Sequence, residues 1–139
     1  MPGRLTIVDA SVQETNAWLK AVSRELGGGE KHDAYAAVRA VLQALRDRLP
    51  PQAALIFAGE LPLTLRGTFV ENWRIGAPPL RNNPGDTFAD DVGARLGPFF
   101  VADAEGAMRA VVEVIRRRVP RSAMERMVEL LPPGAWPAE

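Results

Sequence analysis

No cysteine occurs among the 139 residues. That excludes structural disulfides, thiolate metal sites and a cysteine nucleophile. No stretch approaches the ~18 consecutive apolar residues that a membrane-spanning helix needs. Met1 to Ala10 holds one arginine and no apolar run of signal-peptide length. An excess of either charge is also missing, because 17 basic residues balance 17 acidic ones. A neutral chain has no global pull toward nucleic acid or anionic membranes. Lysine is nearly absent, at Lys20 and Lys31 only. With abundant alanine, this reads as the composition of a GC-rich bacterial genome. The expectation is a cytoplasmic protein with no membrane association. Alternating apolar and polar runs that would argue for strands are lacking as well.

What is present is an internal repeat. Displacing the chain by 70 positions aligns residues 17–66 with 87–136 without a gap, at 15 identities in 50 positions. Val22, Leu26 and Gly27 meet Val92, Leu96 and Gly97. Asp33 and Ala34 meet Asp103 and Ala104. Arg39 meets Arg109, Arg46 and Arg48 meet Arg116 and Arg118, and Leu61-Pro62 meets Leu131-Pro132. Conservative pairs such as Trp18 with Phe88 and Leu45 with Ile115 extend the match. Compositional bias does not easily supply Leu-Gly, Leu-Pro and Asp-Ala pairs at one offset.

Each unit reads as helices separated by punctuation. Ser11-Val12-Gln13-Glu14 has the capping-box pattern and predicts a helix start near Ser11. Trp18, Leu19, Val22 and Leu26 follow at helical spacing, and Gly27-Gly28-Gly29 stops the run. A second helix is predicted from an N-cap at Asp33. Its apolar stripe is Tyr35, Val38, Val41, Leu42, Leu45 and Leu49, with Arg39, Gln43, Arg46 and Asp47 largely on the other face. Pro50-Pro51 ends it and opens a third helix to about Glu60. Leu55 to Ala58 is apolar enough for a strand, but its counterpart from Glu125 to Val128 is helical in character. A fourth helix is predicted from Leu63 to about Trp73. Ile75 to Gly85 is a linker rich in Gly, Pro and Asn. The second unit repeats three helices, and Pro132-Pro133-Gly134 denies it the fourth.

The predicted fold class is therefore all-α: a helical bundle made of two tandem repeats of a three- to four-helix unit with pseudo-twofold symmetry. Unit one covers about residues 12–74, the linker 75–85 and unit two 86–136, within a single domain spanning 1–139. A chain of this length buries roughly two thirds of its unfolded surface and needs no metal to fold.

Chemistry-bearing residues are sparse. His32 is the sole histidine, lies in a polar segment and meets Ala102 in the repeat, so it reads as a solvated loop residue. Asp86, Asp90 and Asp91 precede or open a helix, where carboxylates favour the positive end of the dipole. Nothing completes a metal site around them. No catalytic, cofactor-binding or metal-binding residue is assigned, and no cofactor is expected. Arg116, Arg117, Arg118 and Arg121 form the densest charge cluster. They suit phosphate or nucleic acid, or a solvated helix end near Glu113, Glu125 and Glu129. Arg39 and Arg109, matched by the repeat, read as structural. Phe99, Phe100 and Val101 replace the polar Gly29, Glu30 and Lys31 of unit one; they either dock a partner or plug the core. Trp18, Trp73 and Trp136 read as core or rim anchors.

Leu26-Gly27, Asp33 to Val41, Leu45 to Pro50, Glu60 to Arg66 and Trp73 together resemble the bacterial domain-of-unknown-function 2267 family, over about residues 12–133. The resemblance implies an all-helical fold built from the same duplication, and it supplies no catalytic residues. The sequence departs from the family pattern at Leu131-Pro132-Pro133-Gly134. The leading functional reading is a non-enzymatic protein that binds another protein or a second copy of itself, with Phe99, Phe100, Val101 and Trp73 as interface residues. Anion or nucleic-acid binding through Arg116 to Arg121 stands second. A small-molecule pocket between the repeats stands third.

Overall fold

The computed structural model describes residues 6–98, 100 and 103–138. Seven helices follow one another: α1 (Thr6–Glu25), α2 (Lys31–Arg46), α3 (Pro51–Ala58), α4 (Leu63–Val70), α5 (Phe88–Leu96), α6 (Ala104–Arg118) and α7 (Arg121–Glu129). Among the described residues there is no strand, only an isolated bridge between Asn83 and Asp86 in the linker. Leu55 to Ala58 is helical, as its counterpart implied.

The ends of the helices differ from expectation in physically readable ways. Ser11 lies inside α1 rather than capping it. Ile7, Val8, Asp9 and Ala10 contain no helix breaker, so the helix continues upstream of the capping-box pattern. Gly27, Gly28 and Gly29 then end it, all with φ between 92° and 120°, where a side chain would be strained. Asp33 lies in the first turn of α2, and Glu30 precedes the helix without a side-chain cap. Its counterpart Asp103 does cap α6, accepting from the Gly106 amide. α4 stops at Val70, short of Trp73, because Glu71 turns extended and Asn72 adopts φ 57°. Asparagine tolerates that left-handed geometry better than most residues.

α2 is the centre of the molecule. It packs against α1, α4, α5 and α6, while α1 also touches α6 and α4, α5 touches α6, and α3 lies along α7. Every residue from Ala40 to Arg46 is buried. The polar side of the predicted stripe is therefore covered, which corrects the expectation for Gln43 and Arg46. α4 covers it: Gln43 Nε2 donates to the Thr68 carbonyl at 3.0 Å, and the hydroxyls of Tyr35 and Thr68 lie 3.0 Å apart. One apolar cluster runs from Trp18 and Val22 through Leu42, Leu45, Phe57 and Phe69 to Phe88, Val111, Ile115 and Met127. Both halves of the chain contribute to it.

Candidate functional site

Two features of the molecule carry unusual chemistry: a buried chain of arginines and aspartates at the end of α2, and an apolar face on α3.

The first begins with Arg48, which is only 1% exposed. A buried guanidinium is costly unless paired and hydrogen-bonded. Arg48 Nη1 donates to Asp91 Oδ2 at 2.6 Å and to the Ala44 carbonyl at 3.2 Å, and its guanidinium carbon sits 5.4 Å from the centre of the Phe88 ring. Asp91 also accepts from Arg95 Nε at 2.9 Å. Arg95 Nη2 reaches Asp47 Oδ2 at 2.7 Å. Asp47 in turn accepts from Arg46 Nε at 2.9 Å. Arg46 Nη1 donates onward to the carbonyls of Phe69 and Glu71, at 3.1 and 2.7 Å. The result is an alternating series, Arg46–Asp47–Arg95–Asp91–Arg48, that ties α2 to α5 and closes the open end of α4.

Burial by itself pushes both carboxyls up in pKa. At Asp47 the hydrogen bonds of Arg46 and Arg95 outweigh it, and at Asp91 those of Arg95 and Arg48 do, so both carboxyls lie below their ordinary value. Arg95 is likewise raised: burial lowers it, but Asp91 and Asp47 more than compensate. Asp47, Asp91 and Arg95 thus stay charged at neutral pH. The sequence assigns Asp86, Asp90 and Asp91 a capping and dipole role; Asp90 does cap, in a box with Thr87, whereas Asp91 pairs with Arg48 and Arg95.

The corresponding region of the second half is arranged differently. Arg116 stacks against Trp136 at 5.6 Å and donates to the Pro137 carbonyl. Arg117 pairs with Glu25 at 2.8 Å and with Glu113 at 3.1 Å. Arg118 is exposed. Arg121 pairs with Glu125 at 2.8 Å. The four arginines thus do not share one open patch. The ion pairs Asp47–Arg95 and Arg117–Glu25 join positions offset by 70 residues, with the charges exchanged.

The other described residues singled out in the sequence are dispersed, though Trp73 lines a concavity of about 270 Å³ with Arg46 and Asp47. Phe100 packs against the core while half-buried, as do Trp73 and Trp136; Phe99 and Val101 fall outside the described residues. His32 is exposed in the first turn of α2, 2.9 Å from Glu30 and 3.3 Å from Asp33. Arg39 pairs with Glu71 and Arg109 with Glu105, at the surface. Among the described residues, no group of three or more histidines, aspartates or glutamates is arranged to hold a metal ion. No helix is long and apolar enough to cross a membrane.

The second feature was read in the sequence only as a helix. α3 is Pro-Gln-Ala-Ala-Leu-Ile-Phe-Ala, without one charged residue. A helix apolar all round is normally buried on all sides. Here Ala54, Phe57 and Ala58 face the core, yet Leu55 is 53% and Ile56 60% exposed. Beside them runs a groove of about 340 Å³ between α3 and α7, lined by Ala53, Ile56 and Phe57 on one wall and Ala123, Met127 and Leu130 on the other. Leu130 is itself 52% exposed. Glu60, Arg126 and Glu129 stand on its rim.

The fold and these features define an all-helical protein without an assigned chemistry. The chain belongs to the family described as "Uncharacterized conserved protein (DUF2267)", whose model matches residues 15–137. That match includes the Pro132-Pro133-Gly134 segment. No curated protein matches the chain in sequence.

Proposed function

We propose that this is a non-enzymatic binding protein whose recognition surface is the apolar α3 face and the groove it shares with α7. The observation that carries the reading is the uncharged α3, with Leu55 and Ile56 held out to solvent beside a concave apolar floor. Single exposed apolar residues are ordinary, but a contiguous apolar face with a groove marks an interaction site. This shifts the expected interface from Phe99, Phe100, Val101 and Trp73 to Leu55, Ile56 and Leu130. Anion binding through Arg116, Arg117, Arg118 and Arg121 has less support, because Arg116 turns inward while Arg117 and Arg121 pair with glutamates.

The same reading treats the chain as two copies of one unit about a pseudo-twofold axis. Several observations support it. α3 and α7 begin 70 residues apart. The pairing of α1 with α6 has its reciprocal in α5 with α2. The bridge Asp47–Arg95 has its charge-exchanged reciprocal in Arg117–Glu25. Under that symmetry, α3 and α7 are equivalent helices that have diverged: Leu55 and Ile56 correspond to Glu125 and Arg126.

The test compares tagged wild-type chain with the Leu55→Ser, Ile56→Ser variant as baits in extract of the source cells. Proteins held by the wild type and released by the folded variant are the expected result. Identical retention by both would overturn the assignment of this face.

A further inference from the structure

The occupant of the α3–α7 face follows from its rim, and the inference rests on the binding reading above. We infer that the face pairs with the same face of a second copy of this chain. Glu60, Arg126 and Glu129 all line the groove, and none has an ion-pair partner among the described residues. Arg39, Arg46, Arg48, Arg95, Arg109, Arg117 and Arg121 have carboxylate partners, whereas Arg24, Arg66, Arg74, Arg81, Arg116 and Arg118, like Arg126, have none among the described residues, so it is the mixed sign of the rim beside an apolar groove that is distinctive. A rim carrying both signs is self-complementary. In a twofold pairing the patch meets itself, so Arg126 of one copy faces the acidic side of the other. A rim of one sign would instead select an oppositely charged partner and repel itself. The zero net charge of the chain adds no long-range repulsion between copies.

Shape agrees with charge. The surface holds both the protrusions, Leu55 and Ile56, and the recess, floored by Ala53, Phe57, Ala123 and Met127. The recess is about twice the size of a cavity that takes up a benzene molecule, which suits two or three aliphatic side chains. Helices of eight and nine residues measure about 12–14 Å by about 10–12 Å across, so side by side they present a footprint of roughly 250–350 Å² per copy. That lies below the standard size of specific interfaces. The pairing is therefore weak and reversible, with a dissociation constant on the order of 10–100 µM.

Sedimentation equilibrium of the full chain from about 5 µM to about 1 mM spans that range. The expected result is a monomer–dimer equilibrium. Arg126→Glu makes the rim wholly acidic and is expected to weaken pairing at least about tenfold. Adding Glu60→Arg and Glu129→Arg to it is expected to restore pairing to within about threefold. Circular dichroism checks that each variant is folded. A chain that stays monomeric at every concentration overturns the inference. If Leu55→Ser, Ile56→Ser still releases a partner from extract in that case, only self-pairing fails and the binding face stands. A dimer indifferent to Arg126→Glu and to Leu55→Ser, Ile56→Ser also overturns the inference, and the binding face falls with it only if retention from extract is likewise unchanged.

Discussion

Residues 46–48, at and just past the end of α2, and residues 116–118, the last of α6, lie 70 positions apart and carry arginine at both outer places of each triplet. The middle residue, Asp47 in one and Arg117 in the other, goes with opposite uses of the flanking arginines. Asp47 accepts from Arg46 and Arg95 and draws the triplet into the protein. Arg117 turns to Glu25 and Glu113. Arg48 then finds Asp91, whereas the position equivalent to Asp91 in the first half is Ala21, and Arg118 is left at the surface. Arginines at one 70-residue offset thus form a buried strut at the end of α2 but, apart from the inward-turned Arg116, an exposed helix end on α6. The carboxylates supplied across the core make the difference. α3 and α7 differ on the outside as well: one is apolar toward solvent and the other charged.

The strongest way to break this contrast is Asp91→Ala. It strands the buried Arg48 and removes half of the support of Arg95, so a loss of about 3–5 kcal/mol is expected from urea unfolding at pH 7. Arg46→Ala against Arg116→Ala sharpens it further. Arg46 satisfies two backbone carbonyls and Asp47, so about 2–3 kcal/mol is expected there and about 1 kcal/mol for Arg116. Acid acts more gradually. Asp47 and Asp91 have folded pKa values below their ordinary ones. Their contribution is complete above the unfolded value near ~3.9 and is lost as pH falls through the lower folded values. The urea midpoint should therefore hold from neutral pH to about pH 4.5 and then fall steeply. Asp91→Asn should flatten that fall, and an unchanged acid limb in this variant would contradict the network. The smallest effect belongs to Arg117→Ala, an exposed pair expected to cost under ~1 kcal/mol.

Much of the helical order was legible in the sequence because it is written locally. Pro50-Pro51, Gly27 to Gly29 and the stripe from Val38 to Leu49 are signals within one element. The burial of Arg46 and Arg48 was not legible. Helical periodicity assigns arginines to the solvent side unless another element covers them, and the partners here lie far along the chain: Arg48 and Asp91 are 43 residues apart, and the carbonyls that receive Arg46 lie at the C-terminal end of α4, 23 and 25 residues on. The α3 face was half legible. The absence of charge from Pro51 to Ala58 was in plain view, but it became a site only once no helix was found to cover Leu55 and Ile56. The contrast with Glu125 and Arg126, at the same places in the second half, was the one available signal.

That contrast supplies the most direct measurement. The variant Leu55→Glu, Ile56→Arg gives α3 the residues that α7 carries at the equivalent positions. If Leu55 and Ile56 serve recognition, its unfolding free energy should stay within about 1 kcal/mol of wild type, while pairing in sedimentation and retention of partners from extract are both lost. A variant that binds unchanged, or that loses several kcal/mol because these side chains belong to the core, would contradict the proposed role of the α3 face.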